Sequence, residues 1–370
     1  MTWRYLAQRL PGQEIIHPDL PLTGVSITQT LSGPGGLSAT VPADLPGLMA
    51  PDGQPLLTEW GTAIWAEADG QIRGGGIVDR APSTGNSLSV ECVGFSGYPK
   101  DMPYVGNGRH WTREDPLVIL RFVWDHLQSF PGGDLGVVVD PLTTPVRVGE
   151  EQYVPIDESL EDFDTTFDDG PIRLNWWDVH DLGDFIDDLA ERTPFDYLEQ
   201  SDWGPDGKIV HRLRLGYPRI GRRLTDLRFV IGENVTTIPE VSTVEEGYAS
   251  EVLVLGAGEG REKLVSPTIG TTTGRLRRVA TVVDDTLKRQ GDVNARARKE
   301  RDRRAGLREV TSITVLDHPN APLGSWRVGD SIRLQGEYGW EDIDMWLRIT
   351  EATITPADAE VASLTLARLP

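Results

Sequence analysis

The sequence holds one cysteine, Cys92, among 370 residues. A single thiol excludes an internal disulfide and any zinc or iron–sulfur site built from several cysteines of one chain. Cys92 lies in Ser89-Val90-Glu91-Cys92-Val93 and reads as a small buried residue of a strand. Long hydrophobic runs are missing as well. No stretch reaches the roughly 18 consecutive apolar residues of a membrane-spanning helix, so no stable membrane anchor is expected. The start, Met1-Thr2-Trp3-Arg4-Tyr5, lacks the apolar region of a secretory signal. The expectation is a protein that acts where it is made or leaves as part of something larger. Positive charge is the third shortage: 57 Asp and Glu stand against 36 Lys and Arg, a net charge of −21. Gripping nucleic acid requires a surface that neutralises phosphates, and anionic lipid attracts polybasic stretches. The chain offers neither.

What charge there is lies unevenly. Between Glu150 and Asp202 there are 18 Asp and Glu against Arg173 and Arg192, a local net of −16. Basic residues gather in 207–228 and 261–308. Two readings stand: solvated surface, the usual meaning of charge runs, or one negative face with opposite-sign patches for neighbours.

The hydrophobic pattern is that of a mainly β chain with inserted helices (α+β). Through residues 1–100 short apolar runs are cut by Gly33-Pro34-Gly35-Gly36, Pro51-Asp52-Gly53 and Gly74-Gly75-Gly76. Ile64–Ala68, Asp69-Gly70 and Gln71–Arg73 spell a hairpin with an Asp-Gly turn. Ile77–Pro82 and Ser87–Val93 spell another. Thr112-Arg113-Glu114-Asp115 followed by Pro116 has the form of a helix start, and Leu117, Leu120, Val123, Trp124 and Leu127 share one helical stripe. A second helix after Asp178 places Leu182, Phe185, Ile186 and Leu189 on one face. The acidic stretch 150–170 between them reads as loop. Strands return from Phe195. A third helix, polar except for Leu287, Val293 and Ala297, is expected over Asp284–Arg304, either bridging through solvent or facing a partner. Residues 310–370 read as β again. The outline of Ile77–Cys92 returns weakly in Leu347–Leu366, which suggests two similar modules, though chance likeness between hairpins gives the same pattern. The expected organisation is two small β-barrel-like domains, 1–100 and 195–260 joined with 308–370, with a helical and acidic insert at 101–194 and a polar loop-helix insert at 261–307.

Motifs of chemistry are weak. Leu253-Val254-Leu255-Gly256-Ala257-Gly258-Glu259-Gly260 imitates a dinucleotide fingerprint but lacks the longer glycine spacing and immediate helix. A glycine turn after a buried strand is the better reading. Gly94-Phe95-Ser96-Gly97 only approximates a nucleophile elbow. His17, His110, His126, His180, His211 and His318 include no i+3 or i+4 pair, so the zinc-peptidase signature is absent. Asp178, Asp181 and Asp184 around His180 could hold a hard cation, but helix caps explain them better. Carboxylate pairs for glycoside hydrolysis cannot be judged from sequence, since their spacing is set in space. No catalytic, cofactor or metal residue is therefore assigned, and the chain is read as non-enzymatic. Of the eleven tryptophans, most read as core. Trp176-Trp177, beside the acidic stretch, reads as a subunit interface.

Several of these parts occur in an order that resembles the minor tail, or tail-hub (baseplate-hub-like), proteins of long-tailed actinobacterial bacteriophages. The carriers are Gly74-Gly75-Gly76-Ile77-Val78 with Val90–Phe95; the helix from Asp115-Pro116-Leu117 to Leu127; the second helix ending before Pro194-Phe195-Asp196-Tyr197; Glu251–Arg261; and Trp326-Arg327-Val328-Gly329-Asp330-Ser331-Ile332-Arg333-Leu334. The resemblance spans nearly the whole chain, and none of its motifs is catalytic. It implies a homotrimer in the virion, at the distal end of the tail and assembled in the host cytoplasm. Its expected partners are the tail tube and distal tail proteins, a central fibre or spike, and the tape-measure protein. DNA would pass through its channel without specific binding. In that setting a negative wall lets a phosphate backbone slide, which marks Asp162, Asp164, Asp168 and Asp169 as facing the channel or the axial partner. The alternatives are a tail-associated cell-wall glycan or peptidoglycan hydrolase, and a host-glycan-binding protein. The chain ends at Pro370 directly after its last strand, so no appended hydrolase domain is expected.

Overall fold

A computed structural model describes residues 2–42, 49–81, 83–84, 87–149, 171–179, 181–193, 195–237, 241–243, 249–267, 269–270, 276–285, 287, 290–304, 308–338, 341–356 and 361–368. The N-terminal strands are β1 (Trp3–Arg9), β2 (Ile15–His17), β3 (Thr23–Thr30), β4 (Gly36–Pro42), β5 (Thr62–Ala68), β6 (Gln71–Arg80), β7 (Ser83–Thr84) and β8 (Ser87–Val93). The β5–β6 turn is Asp69-Gly70, with φ of 50° and 81°. Two successive positive φ values match the twist of a tight hairpin, which explains Gly at the second position. Every residue of β5 is buried, because the strand is covered on both faces. Ile64 and Ala66 pack with Val25, Ile27 and Val90 in one core. Ala63 and Trp65 pack in another core with the helices. Beside it, Gly74-Gly75-Gly76 has no room for side chains. A Cβ on Gly75 would lie 2.1 Å from the Ile64 carbonyl oxygen, and one on Gly76 2.3 Å from that of Val93.

The middle of the chain adds β9 (Arg109–Trp111), α1 (Pro116–Gln128), β10 (Val137–Val139), β11 (Ile172–Leu174), α2 (Leu182–Arg192), β12 (Asp196–Trp203) and β13 (Ile209–Gly216). Helix α1 begins one turn later than Thr112 would cap it. Asp115 accepts from the Leu117 amide at 3.0 Å, and Pro116 occupies the first turn, where its missing N–H costs nothing. Asp181 caps α2 through the amides of Gly183 and Asp184. The apolar faces of both helices meet β12 and β13 in one core that includes Phe195, Tyr197 and Leu213.

The remaining elements are β14 (Phe229–Val230), β15 (Val241–Thr243), β16 (Glu251–Leu255), β17 (Ile269–Gly270), β18 (Val279–Val283), α3 (Gln290–Arg304), β19 (Arg308–Val310), β20 (Ser312–Leu316), β21 (Ser331–Tyr338), β22 (Glu341–Thr355) and β23 (Val361–Arg368). Helix α3 is shorter at its start than the sequence suggests. The Asp284 amide still donates to Leu255 O, so the chain there continues the sheet. The thin apolar line of α3 is real: Val293 and Ala297 are fully buried against Val252 and Val254.

The largest sheet runs β14-β21-β22-β3-β4-β8-β6-β5-β1-β2, with β23 on the other edge of β22 and β20 beyond it. Within it, β4, β5, β6 and β8 lie in the spatial order first, fourth, third, second along the chain. β20, β21, β22 and β23 repeat that order. The long β22 joins the two sets. Its first half pairs β21, and Glu351–Ile354 then pair Ile27–Thr30 of β3 on the same edge. The chain is mainly β with three helices among the described residues. Among the described residues, the parts expected to be barrel-like are open sheets, and none closes into a barrel.

Candidate interaction surfaces

Trp176 and Trp177 are placed by a turn after β11. The Asn175 side chain donates to Asp178 at 2.8 Å, and the Asp178 and Val179 amides donate to the Asn175 carbonyl. The two indoles meet edge to face with centroids 5.4 Å apart. They are 60% and 54% exposed, an arrangement that leaves large apolar rings in water. Next to them a cavity of about 430 Å³ is lined by Gly108, Arg109, His110, Pro171, Arg173 and Asn175. The Arg109 guanidinium lies 4.7 Å from the Phe122 ring centroid. The surface is thus aromatic and cationic at one place, beside the point where the acidic stretch rejoins the described chain. Asp162, Asp164, Asp168 and Asp169 lie outside the described residues, as does His180.

The β12–β13 sheet meets the two strand sets along a polar seam. Arg348 of β22 donates to Gly329 O at 3.1 Å, to Ile220 O at 2.8 Å and to the Asp196 carboxylate. Asp196 also accepts from the Ile220 amide at 2.7 Å. Arg348 and Asp196 expose only 12% and 14% of their side chains. Asp330 accepts from the amides of Arg222 and Arg327, tying the Arg327-Val328-Gly329-Asp330 segment to the 220–224 loop. Glu199 of β12 reaches into the first strand set, where its carboxylate accepts from the amides of Ser96 and Gly35. Burial pushes its carboxyl above the usual range, and those hydrogen bonds oppose the rise. A cavity of about 270 Å³ lies along this seam, lined in part by Gln29, Arg73, Gly75, Ser201 and Trp326.

His211, on β13, is buried, stacks on Trp65 with centroids 4.8 Å apart and contacts the Ser201 hydroxyl at 2.9 Å. Desolvation lowers its pKa to about 4, so the ring is neutral near pH 7. Nothing in its sequence neighbourhood announces this, because the stacking partner lies far along the chain. Cys92 is buried, and burial pushes its thiol up to about 12. The glycine stretch after β16 leads into a short 3₁₀ turn, Gly260–Glu262, rather than a helix whose N-terminus could meet a phosphate. The Gly94–Gly97 segment is likewise a 3₁₀ turn, in which the Ser96 amide serves Glu199. No group of three or more His, Cys, Asp or Glu among the described residues is arranged to hold a metal ion.

No family model matches the sequence, and a search of curated proteins finds no match. Solved structures do match. The 43 kDa tail protein of prophage MuSo2 from Shewanella oneidensis superposes with a TM-score of 0.61 at 15% identity, covering 99% of this chain and 98% of that one. The fold is that of prophage tail proteins. A tail protein from Neisseria meningitidis MC58 gives a TM-score of 0.57 at 16% identity, covering 99% and 96%. Prophage tail protein gp18 from Listeria monocytogenes EGD-e gives 0.55 at 10%, covering 99% and 95%. The tail-protein fold extends over essentially the full length in each case.

Proposed function

We propose that this chain is a structural subunit of a phage tail, at the tail-tip hub that joins the tube and distal tail protein to a central fibre or spike. The observation that carries the reading is the tail-protein fold matched end to end. Two further features support it. The strand order β20–β23 repeats that of β4–β8, and a chain with two like modules turns three copies into a ring of near six-fold character, suited to a six-fold tube. The net charge of −21 suits a subunit past which a phosphate backbone must slide unheld. In this reading the modules are residues 1–100 and residues 195–260 joined with 308–370. The acidic stretch with Asp162, Asp164, Asp168 and Asp169 faces the channel or the axial partner, and Trp176-Trp177 meets a neighbouring subunit. The role is structural rather than catalytic.

Gold-labelled antibody against this chain, applied to intact particles and viewed by electron microscopy, tests the placement. Label confined to the distal end of the tail is expected. Label along the tube, on the head or on free protein alone would overturn it. A zymogram on host cell wall separates this reading from a hydrolase, and the expected result is no clearing.

A further inference from the structure

The cavity along the polar seam adjoins a second one, and together they gather arginines that the chain leaves unpaired. The first holds about 270 Å³ and the second about 650 Å³, and Leu198, Arg214, Gly324 and Arg327 line both, so the two form one groove. Arg73 lines the first part, and Arg222 and Arg223 line the second. None of these five guanidinium groups has an ion-pair or hydrogen-bond partner among the described residues. Elsewhere Arg4, Arg9, Arg277, Arg333 and Arg348 each hold a carboxylate. The acids in the walls of the groove are already engaged. Glu199 and Asp330 accept from backbone amides. Asp202 accepts from the Gln200 side chain, and Asp226 from the Thr225 hydroxyl.

The smaller part of the groove also encloses two donors without acceptors. Trp326, which lines it, is 4% exposed, and its indole Nε1 is buried with no hydrogen-bond partner among the described residues. The Nε of Arg73 is in the same state. Arg73 belongs to β6, yet it reaches the turn just before Trp326: a Cβ on Gly324 would stand 2.7 Å from its Nη1. Trp65, Ile72, Leu198, Leu323 and Ile354 complete the walls with apolar surface. A buried donor without an acceptor is unfavourable, so this cavity favours a guest that brings acceptor oxygens on an apolar stem.

We propose that this groove docks an acidic segment of a partner protein. One carboxylate side chain enters the smaller cavity, where its two oxygens accept from Trp326 Nε1 and Arg73 Nε. The apolar walls take its methylene stem. Neighbouring acids of the same segment lie over Arg214, Arg222, Arg223 and Arg327. Arg223 stacks on the Trp346 ring, 3.8 Å from the centroid, which holds the planar fork in place for a carboxylate. Trp and Arg are the side chains that most often anchor interfaces. A nucleic acid fits less well. Its phosphates lie along a continuous backbone, with none on a stem that reaches an enclosed cavity, and a chain of net charge −21 repels a long polyanion. A short acidic segment carries few charges. The groove lies within one chain and needs no second copy, so the inference is independent of the tail-hub reading.

The test uses the full chain and a fluorescein-labelled peptide of Glu-Ser-Gly repeats, with fluorescence anisotropy as the readout. This peptide is expected to bind at least about tenfold more tightly than a Gln-Ser-Gly peptide of the same length, and more weakly as salt rises. Trp326→Phe keeps a ring and loses the donor, and Arg73→Lys keeps the charge and loses Nε. Each should weaken binding by about tenfold. Arg223→Gln with Arg327→Gln, both at exposed positions, should weaken it as well. Circular dichroism checks folding, and this exposed pair decides the matter if a buried variant is not folded. Equal affinity for the Glu and Gln peptides, or wild-type affinity in any folded variant, overturns the proposal. Tighter binding of a single-stranded DNA oligonucleotide of equal charge also overturns it and makes the groove a phosphate site. Asp162→Asn, Asp164→Asn, Asp168→Asn and Asp169→Asn together separate a partner from the chain itself. Unchanged affinity is expected. A gain of about tenfold or more would mean that the chain's own acidic stretch fills the groove, and it overturns the partner assignment.

Discussion

The hydroxyls of Thr28 and Thr353 lie 3.2 Å apart although 325 residues separate them in the chain. They face each other across the β3–β22 pair, which among the described residues joins the two strand sets in the sheet path. Strand pairing over such a distance forms against a large loop-closure entropy, so local patterns cannot signal it.

Arg348→Met is expected to destabilise the protein by about 3–5 kcal/mol, because it leaves the Asp196 carboxylate buried beside apolar surface. Urea unfolding measures this. The double variant Arg348→Met with Asp196→Asn should regain part of the loss, since the lone charge is then gone. An equal loss in the single and double variants would show that packing, not charge, dominates at this node.

Gly75→Ala should prevent folding or cost several times more than an ordinary glycine substitution. Its Cβ would meet the Ile64 carbonyl oxygen and the Trp65 backbone, and φ is +148°. Gly12→Ala is the control: no atom lies within 4 Å of its new Cβ, and a change of under about 1 kcal/mol is expected. Soluble yield and thermal melting compare the two.

His211 should make stability fall in acid. Its folded pKa of about 4 lies below the unfolded value of about 6.5, so the unfolded chain binds the proton first. Stability from this group is complete above about pH 6.5 and is lost as pH falls toward 4, with a full size of up to about 3 kcal/mol. Glu199, whose carboxyl is raised, contributes a slope of opposite sign in its own window. The His211 share is therefore read as the difference between wild type and His211→Gln. Parallel stability–pH curves for the two proteins would contradict the assignment.

Trp176→Ala with Trp177→Ala should leave the isolated chain's stability within about 0.5 kcal/mol, as expected for exposed positions. The same change should lower incorporation into particles if the pair meets a neighbour, because buried aromatic anchors dominate interfaces. Quantitative blotting of purified particles reads this out. Normal incorporation would remove the pair from the interface.

Replacing Asp162, Asp164, Asp168 and Asp169 by Lys should permit assembly and slow DNA ejection, since a cationic wall holds phosphate by counterion release. Ejection triggered in vitro and followed by dye fluorescence measures the rate. Unchanged ejection from normally assembled particles would move these residues away from the channel.

Several features were settled within a few residues of sequence. The Asp69-Gly70 hairpin, the cap at Asp181, the stripes of α1 and α2 and the burial of Cys92 follow from local backbone preference and from the period of apolar residues, which act wherever the chain goes. The glycines at 74–76 were visible as a break, but the carbonyls they make room for were not. Tertiary structure alone decided that β3 would pair with β22, that Arg348 would hold Asp196, and that Glu199 and His211 would be enclosed by strands far from them in sequence. Among the described residues it also left the sheets open, and it started the third helix only at Gln290, after β18. Those outcomes depend on which distant surfaces exclude water from each other, a quantity that belongs to the assembled chain and to no segment of it.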